Sequence, residues 1–145
     1  MADDSAASAV PNPFPTPASR LWLVLAGLNG ACAVAMGAYS WHALGTDANA
    51  REMMSFAVTY QMWHALALLG IAALAGRGAG VLVQVAGAMF LGGIVLFSGT
   101  LYVLGLTGRV LLPYAAPIGG GLMILAWLFL SLAGGIALWK RRSAQ

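Results

Sequence analysis

Charge is what this sequence has least of. Seven Lys or Arg and four Asp or Glu are spread over 145 residues, so 8% of the chain is charged. A soluble domain carries about 25%. So few charges cannot solvate the surface of a 14.9 kDa globule. An ordinary soluble enzyme, a disordered chain and a nucleic-acid-binding module are all excluded, and nucleic acid with them as a partner. Cysteine is as scarce: Cys32 stands alone, which excludes an intramolecular disulfide and any multi-cysteine metal site. Alternating polarity is absent too, and with it the β-barrel route across a membrane. What remains is apolar: 61% of the residues are hydrophobic and the mean hydropathy is +0.85.

The few charges divide the chain into uncharged runs. Arg20 to Asp47 encloses 26 residues, Glu52 to Arg77 encloses 24, Arg77 to Arg109 encloses 31 and Arg109 to Lys140 encloses 30. About 20 apolar residues in a helix cross a hydrocarbon core of about 30 Å. Each run is long enough to cross once and too short to cross twice. The expected architecture is all-α: an integral membrane four-helix bundle with spans near 21–44, 53–76, 80–106 and 113–139, within a transmembrane domain of residues 20–142. The connections are short: Gly45-Thr46-Asp47-Ala48-Asn49, Gly76-Arg77-Gly78-Ala79-Gly80 and Thr107-Gly108-Arg109. They force an up-down-up-down order of antiparallel neighbours, with Thr46 or Asp47 as N-cap of the second helix.

Residues 1–19 differ in kind. Pro11, Pro13, Pro15 and Pro17 alternate with other residues and no Lys or Arg is present. Proline lacks an amide donor and drives its predecessor out of helix, so a flexible, disordered proline-rich tail is expected here. Asp3 and Asp4 stand where a signal peptide needs positive charge. Asn29-Gly30-Ala31-Cys32 lacks the aliphatic residue of a lipoprotein cleavage box.

Orientation follows from the basic residues. An even number of spans puts Arg20, Arg77, Lys140, Arg141 and Arg142 on one side, against Arg51 and Arg109 on the other. The excess marks the cytoplasmic side, so both termini are expected there. Trp22, Trp41 and Trp139 lie near span ends and read as interfacial anchors, and Lys140-Arg141-Arg142 as a stop-transfer anchor.

Because lipid is as apolar as leucine, membrane helices associate through small residues and a few hydrogen bonds. Ala26, Gly30, Ala33 and Gly37 form one small-residue face of the first span; Ala88 with Gly92 and Ser131 with Gly135 repeat the pattern in the third and fourth. These faces are expected inside the bundle, with self-association through one of them left open. The fourth span opens on Pro113-Tyr114-Ala115-Ala116-Pro117-Ile118-Gly119-Gly120-Gly121. Its helix is expected from 113 or from Pro117. The glycines read as a glycine-rich first turn or as letting backbone approach a ligand, though not a nucleotide, since the Lys-Ser or Lys-Thr of a phosphate loop is missing.

The polar residues far from span ends form the candidate site. Counted at about 1.5 Å per residue, Asn29, Gln61, His64 and Ser98 all fall about 12–16 Å deep, near the midplane. Tyr60, Gln61 and His64 share a helix face, and Ser98 stacks on Tyr102. An ionisable group at such depth marks a functional site, or else a neutral imidazole hydrogen-bonded across helices that sets their register. The second reading is favoured. His42, near the outer end of the first span, reads as an interfacial histidine. It sits about 14 Å from His64 along the axis, too far for both to ligate one iron or other metal. No metal or cofactor is expected.

Four segments, taken in order, resemble a known family. Gly37-Ala38-Tyr39-Ser40-Trp41-His42-Ala43-Leu44, Tyr60-Gln61-Met62-Trp63-His64-Ala65-Leu66, Leu96-Phe97-Ser98-Gly99-Thr100-Leu101-Tyr102 and Ala116-Pro117-Ile118-Gly119-Gly120-Gly121 are similar to signature stretches of the YgdD-like small inner-membrane proteins. Eukaryotic relatives of that family include transmembrane protein 256. The resemblance covers about residues 21–139. It implies a four-span protein of the bacterial inner membrane and brings no activity. It marks His42, His64, Ser98, Tyr102, Pro117, Gly119, Gly120 and Gly121 as signature positions. The chain departs at Ser40-Trp41, where the family usually has Gly-Ala, and at Leu122 to Ala126; if Gly-Ala serves a close helix contact, Trp41 puts that contact in question.

Three functions compete. A non-enzymatic scaffold, assembly factor or accessory subunit would act through helix contacts, with a second copy or another membrane protein as partner. A small transporter, channel or lipid-binding protein would use the polar cluster around His64. An intramembrane enzyme lacks raw material, since no Asp or Glu lies within a span and Cys32 has no base beside it in sequence. No internal repeat supports transport. The first reading is favoured, the second is its alternative, and the lipid bilayer is a partner in either.

Overall fold

The computed structural model describes residues 12–45, 47–110 and 112–143, and the chain there forms four helices: α1 (Pro17–Ala43), α2 (Ala48–Gly76), α3 (Val81–Thr107) and α4 (Ala115–Arg142). Each has 27 to 29 residues. At 1.5 Å per residue that is about 40 Å, and all four are apolar enough to cross a membrane. Helices adjacent in sequence pack against each other: α1 on α2, α2 on α3 and α3 on α4. The two inner helices supply most of the buried residues, with Leu68, Ile71, Ala72, Ala86 and Phe90 fully enclosed between them.

Residues 1–11, most of the expected tail, lie outside the described residues. The tail's last residues, from Asn12, are described and are tied down. Thr16 caps α1: its hydroxyl accepts from the Ser19 amide at 3.0 Å, and the Ser19 hydroxyl accepts from the Thr16 amide at 3.1 Å. This reciprocal box, with Pro17 in the first helical turn, starts α1 four residues before Leu21. Arg20 donates to the carbonyls of Phe14 and Pro15, and Phe14 packs against the core. The Pro13 carbonyl would lie 2.9 Å from a Cβ on Gly76, so the strap crosses the end of α2 where only glycine leaves room.

Asp47 caps α2, accepting from the Ala50 amide at 3.0 Å; Thr46 is outside the described residues. Gly45, Gly78 and Gly108 turn the chain with positive φ, as glycine at helix ends does. Tyr114 does so as well, at φ 66°, and α4 begins just after it, at Ala115 rather than at 113 or Pro117. Pro117 sits in the first turn, where its missing donor leaves no helix bond unmade.

Two expectations about packing are corrected. Trp22 is 8% exposed and faces inward, where its indole N–H reaches Gln84 of α3 and its ring lies over Gly87. Earlier onset of α1 puts Trp22 a turn and a half inside the helix, on the face turned toward α3. Trp139 and Trp41 stay about 70% exposed, as anchors should. Small residues are the second correction. Ala26 and Ala33 are buried and Gly37 meets Val58 of α2, but a Cβ on Gly30 would touch nothing within 4 Å. Ala88 is exposed, though Gly92 lies near Leu122. Ser131 and Gly135 are exposed because α4 turns Met123, Ala126, Leu130 and Ala133 toward the core, and a groove of about 340 Å³ lies between the start of α3 and Lys140.

Candidate functional site

Polar side chains inside a membrane must find partners, because an unpaired donor or acceptor has no water to turn to. Gln61 resolves this through three helices. Its Nε2 donates to Asn29 Oδ1 of α1 at 3.3 Å, and its Oε1 accepts from the Tyr102 hydroxyl of α3. Asn29 in turn donates to the Leu25 carbonyl of its own helix at 2.8 Å. The ladder Tyr102–Gln61–Asn29 crosses the bundle near its middle. Gln61 is 5% exposed, so it is the enclosed centre and its two partners are half-buried. Two of the four residues expected at the midplane, Asn29 and Gln61, therefore join a working trio whose third member is the signature residue Tyr102.

His64 is equally buried, one turn further along the same face of α2, but takes no part in the ladder. Its Nδ1 lies 2.7 Å from the Tyr60 carbonyl, an acceptor, so Nδ1 carries the hydrogen. The ring is boxed by aromatics: centroids stand 5.4 Å from Phe90, 6.2 Å from Tyr60 and 6.3 Å from Trp127. Phe90 meets Trp127 edge-on at 5.0 Å, the favoured arrangement of two ring quadrupoles. Through this box α2 reaches α4, which is not its packed neighbour. The imidazole expected to bond across helices bonds within its own and packs across helices instead.

Ser98 is 1% exposed and its hydroxyl has no hydrogen-bond partner, so it forms no polar contact with His64. His42 lies exposed in the last turn of α1. Gly119 is a contact residue: a Cβ there would stand 2.5 Å from the Phe97 amide nitrogen and 2.9 Å from the Gly93 carbonyl. A Cβ on Gly93 would meet Met123 at 2.7 Å and the Gly119 carbonyl at 2.9 Å. Two backbones touch here with no side chain between them. A Cβ on Gly120 would stand 3.9 Å from the Phe97 ring, and one on Gly121 would meet nothing within 4 Å. The glycine run thus serves approach to α3.

Sequence reading passed over three residues of this centre. Trp127 and Phe90 carry no signal apart from being aromatic. Gln84 did carry one, as an uncharged polar residue inside the third span, and the Trp22–Gln84 bond is its use. Among the described residues no three His, Cys, Asp or Glu side chains come together to hold a metal ion. Chemically, the midplane offers carboxamides, a phenol and one imidazole, all suited to joining helices.

Known membrane proteins resemble this chain over most of its length. The family described as "Protein of unknown function (DUF423)" matches residues 36–120. A UPF0382 membrane protein of Staphylococcus aureus is 39% identical over 116 residues, 79% of this chain and 94% of that protein. The UPF0382 membrane protein YwdK of Bacillus subtilis is 34% identical over 117 residues, 79% and 95% of the two chains. The UPF0382 inner membrane protein YgdD of Escherichia coli K12 is 34% identical over 125 residues, 85% of this chain and 95% of its own. No solved structure matches. Four apolar helices, the family match over residues 36–120 and relatives 34–39% identical over 79–85% of the chain lead to one conclusion: this chain is a four-span membrane protein of the DUF423 family, the YgdD-like proteins of unknown function.

Proposed function

We propose that this protein is a non-enzymatic scaffold, an assembly or accessory subunit of the bacterial inner membrane that works through helix contacts, with both termini in the cytoplasm. One observation carries the reading. The midplane carboxamides, phenol and imidazole are occupied within the chain while the outer helices keep long uncovered faces. Gln61, Asn29, Tyr102 and His64 bond to each other or to backbone. From Ser131 to Arg142, by contrast, every residue of α4 except Ala133 is exposed. That stretch carries Ser131, Gly134 and Gly135, small residues of the kind that let a second helix approach. Its partner is a second copy or another membrane protein.

A photo-crosslinking residue placed at Gly135, in cells, tests this. A discrete crosslinked species that disappears when Ser131→Leu is added is the expected result. Only uncrosslinked monomer would overturn the reading, as would His64→Gln abolishing complementation of a deletion strain while the protein folds normally. Cysteine labelling of Ser5 and Ser143 from the cytoplasmic side alone is expected; labelling from outside would reverse the orientation.

A further inference from the structure

At the end of the bundle away from both termini, α1 and α2 open a groove of about 420 Å³ toward the surrounding lipid. Its mouth holds Trp41, Arg51 and Glu52, and its wall carries the hydroxyls of Ser40, Ser55 and Thr59. A second hollow of about 370 Å³ shares Glu52, Ser55 and Thr59 with it and continues past Phe56 to Tyr60 and Trp63. From Arg51 to Trp63 is about 18 Å along the helix, so one charged mouth leads into an apolar track that runs toward the midplane.

The guanidinium at the mouth is held but short of acceptors. It lies over the Trp41 ring, 4.9 Å from the centroid, and donates from Nη2 to the Trp41 carbonyl at 3.0 Å. Nε is covered and has no partner. An arginine so positioned offers Nη1 and the remaining Nη2 hydrogen at the mouth, and that end of the fork suits a phosphate, whose oxygens accept from guanidinium in pairs. Glu52 follows directly in the chain and lines the same mouth. A cation and an anion side by side complement a headgroup that carries phosphate and a primary ammonium in the same order.

We propose that this groove binds an aminophospholipid of the phosphatidylethanolamine class, with its phosphate on Arg51, its ammonium on Glu52 and an acyl chain along Thr59, Phe56 and Trp63. The lipid covers an otherwise open seam between α1 and α2. The inner end of the track reaches Tyr60, one wall of the box around His64, and shares no other residue of that box. The proposal does not depend on the scaffold reading.

The full-length protein, delipidated in mild detergent, is titrated with phosphatidylethanolamine, phosphatidylcholine, phosphatidylglycerol and chain-free glycerophosphoethanolamine, and bound species are counted by native mass spectrometry. Phosphatidylethanolamine is expected to bind best. Arg51→Gln should weaken it about tenfold, the worth of one charge-assisted hydrogen bond. Glu52→Gln, an exposed substitution that leaves the fold alone, should erase the preference over phosphatidylcholine while binding persists. Equal binding of all three lipids by the unaltered protein would overturn the proposal, as would preference for phosphatidylglycerol. Binding of glycerophosphoethanolamine as tight as that of the lipid would overturn it too, by showing a free phosphoester site.

Discussion

The outer helices α1 and α4 are attached to the same inner pair by opposite means. Side-chain hydrogen bonds hold α1: Trp22 to Gln84 and Asn29 to Gln61. By contrast, α4 has one side-chain hydrogen bond among the described residues, Ser143 to its own Trp139 carbonyl. It rests on bare backbone, Gly119 against Phe97 and Gly93. Hydrogen bonds between membrane helices contribute only about 0.6 kcal/mol on average, because the separated helices find other partners. Long side chains can also follow a shift of the helix. A glycine contact has no such slack, since the atom in the way is main chain. The α1 seam should therefore be tolerant and the α4 seam brittle.

The sharpest way to break this contrast is Gly119→Ala. One methyl group would have to push two backbones apart, and destabilisation of about 3 kcal/mol is expected from reversible unfolding in mixed micelles. Gly121→Ala, two residues on with open space around it, is the control; it should be neutral or stabilising by about 0.5 kcal/mol, as alanine replaces glycine in a helix. If both substitutions cost alike, the close contact is not what holds α4.

Next in size is the polar ladder. Gln61→Leu removes both cross-helix bonds and should cost about 1–2 kcal/mol in the same assay. A double-mutant cycle with Tyr102→Phe should return a coupling of about 0.6 kcal/mol, and zero coupling would mean that the phenol bonds elsewhere. His64→Gln should be milder, about 1 kcal/mol or less, because a carboxamide can still reach the Tyr60 carbonyl and what is lost is ring packing. Smallest of all is Gly30→Leu. Its position in the small-residue stripe predicts overpacking, whereas the open space beside it predicts a change within about 0.5 kcal/mol.

Those last two expectations show where sequence reasoning stopped. The spacing Ala26, Gly30, Ala33, Gly37 is a true helix face, yet α2 covers it unevenly: it seals Ala33 completely and leaves space at Gly30. The polar positions were legible because an unpaired group is costly at the midplane, and Gln61 does pair with Asn29 and Tyr102. Which group pairs with which was not. Ser98 and His64 have the same depth and polarity as Gln61, and one packs among aromatic rings while the other's hydroxyl pairs with nothing.

By itself the sequence determined the number of spans, their lengths and their antiparallel order. These depend on where charges interrupt apolar runs and on how short the connections are, both properties of the chain alone. Tertiary structure decided everything that depends on rotation about a helix axis. It turned Trp22 inward, matched Gly93 to Gly119 and left Ser131 and Gly135 uncovered. In a soluble helix the boundary between water and core selects the buried face. In lipid both faces are apolar, that selection vanishes, and only the shape of the neighbouring helix chooses which residues touch.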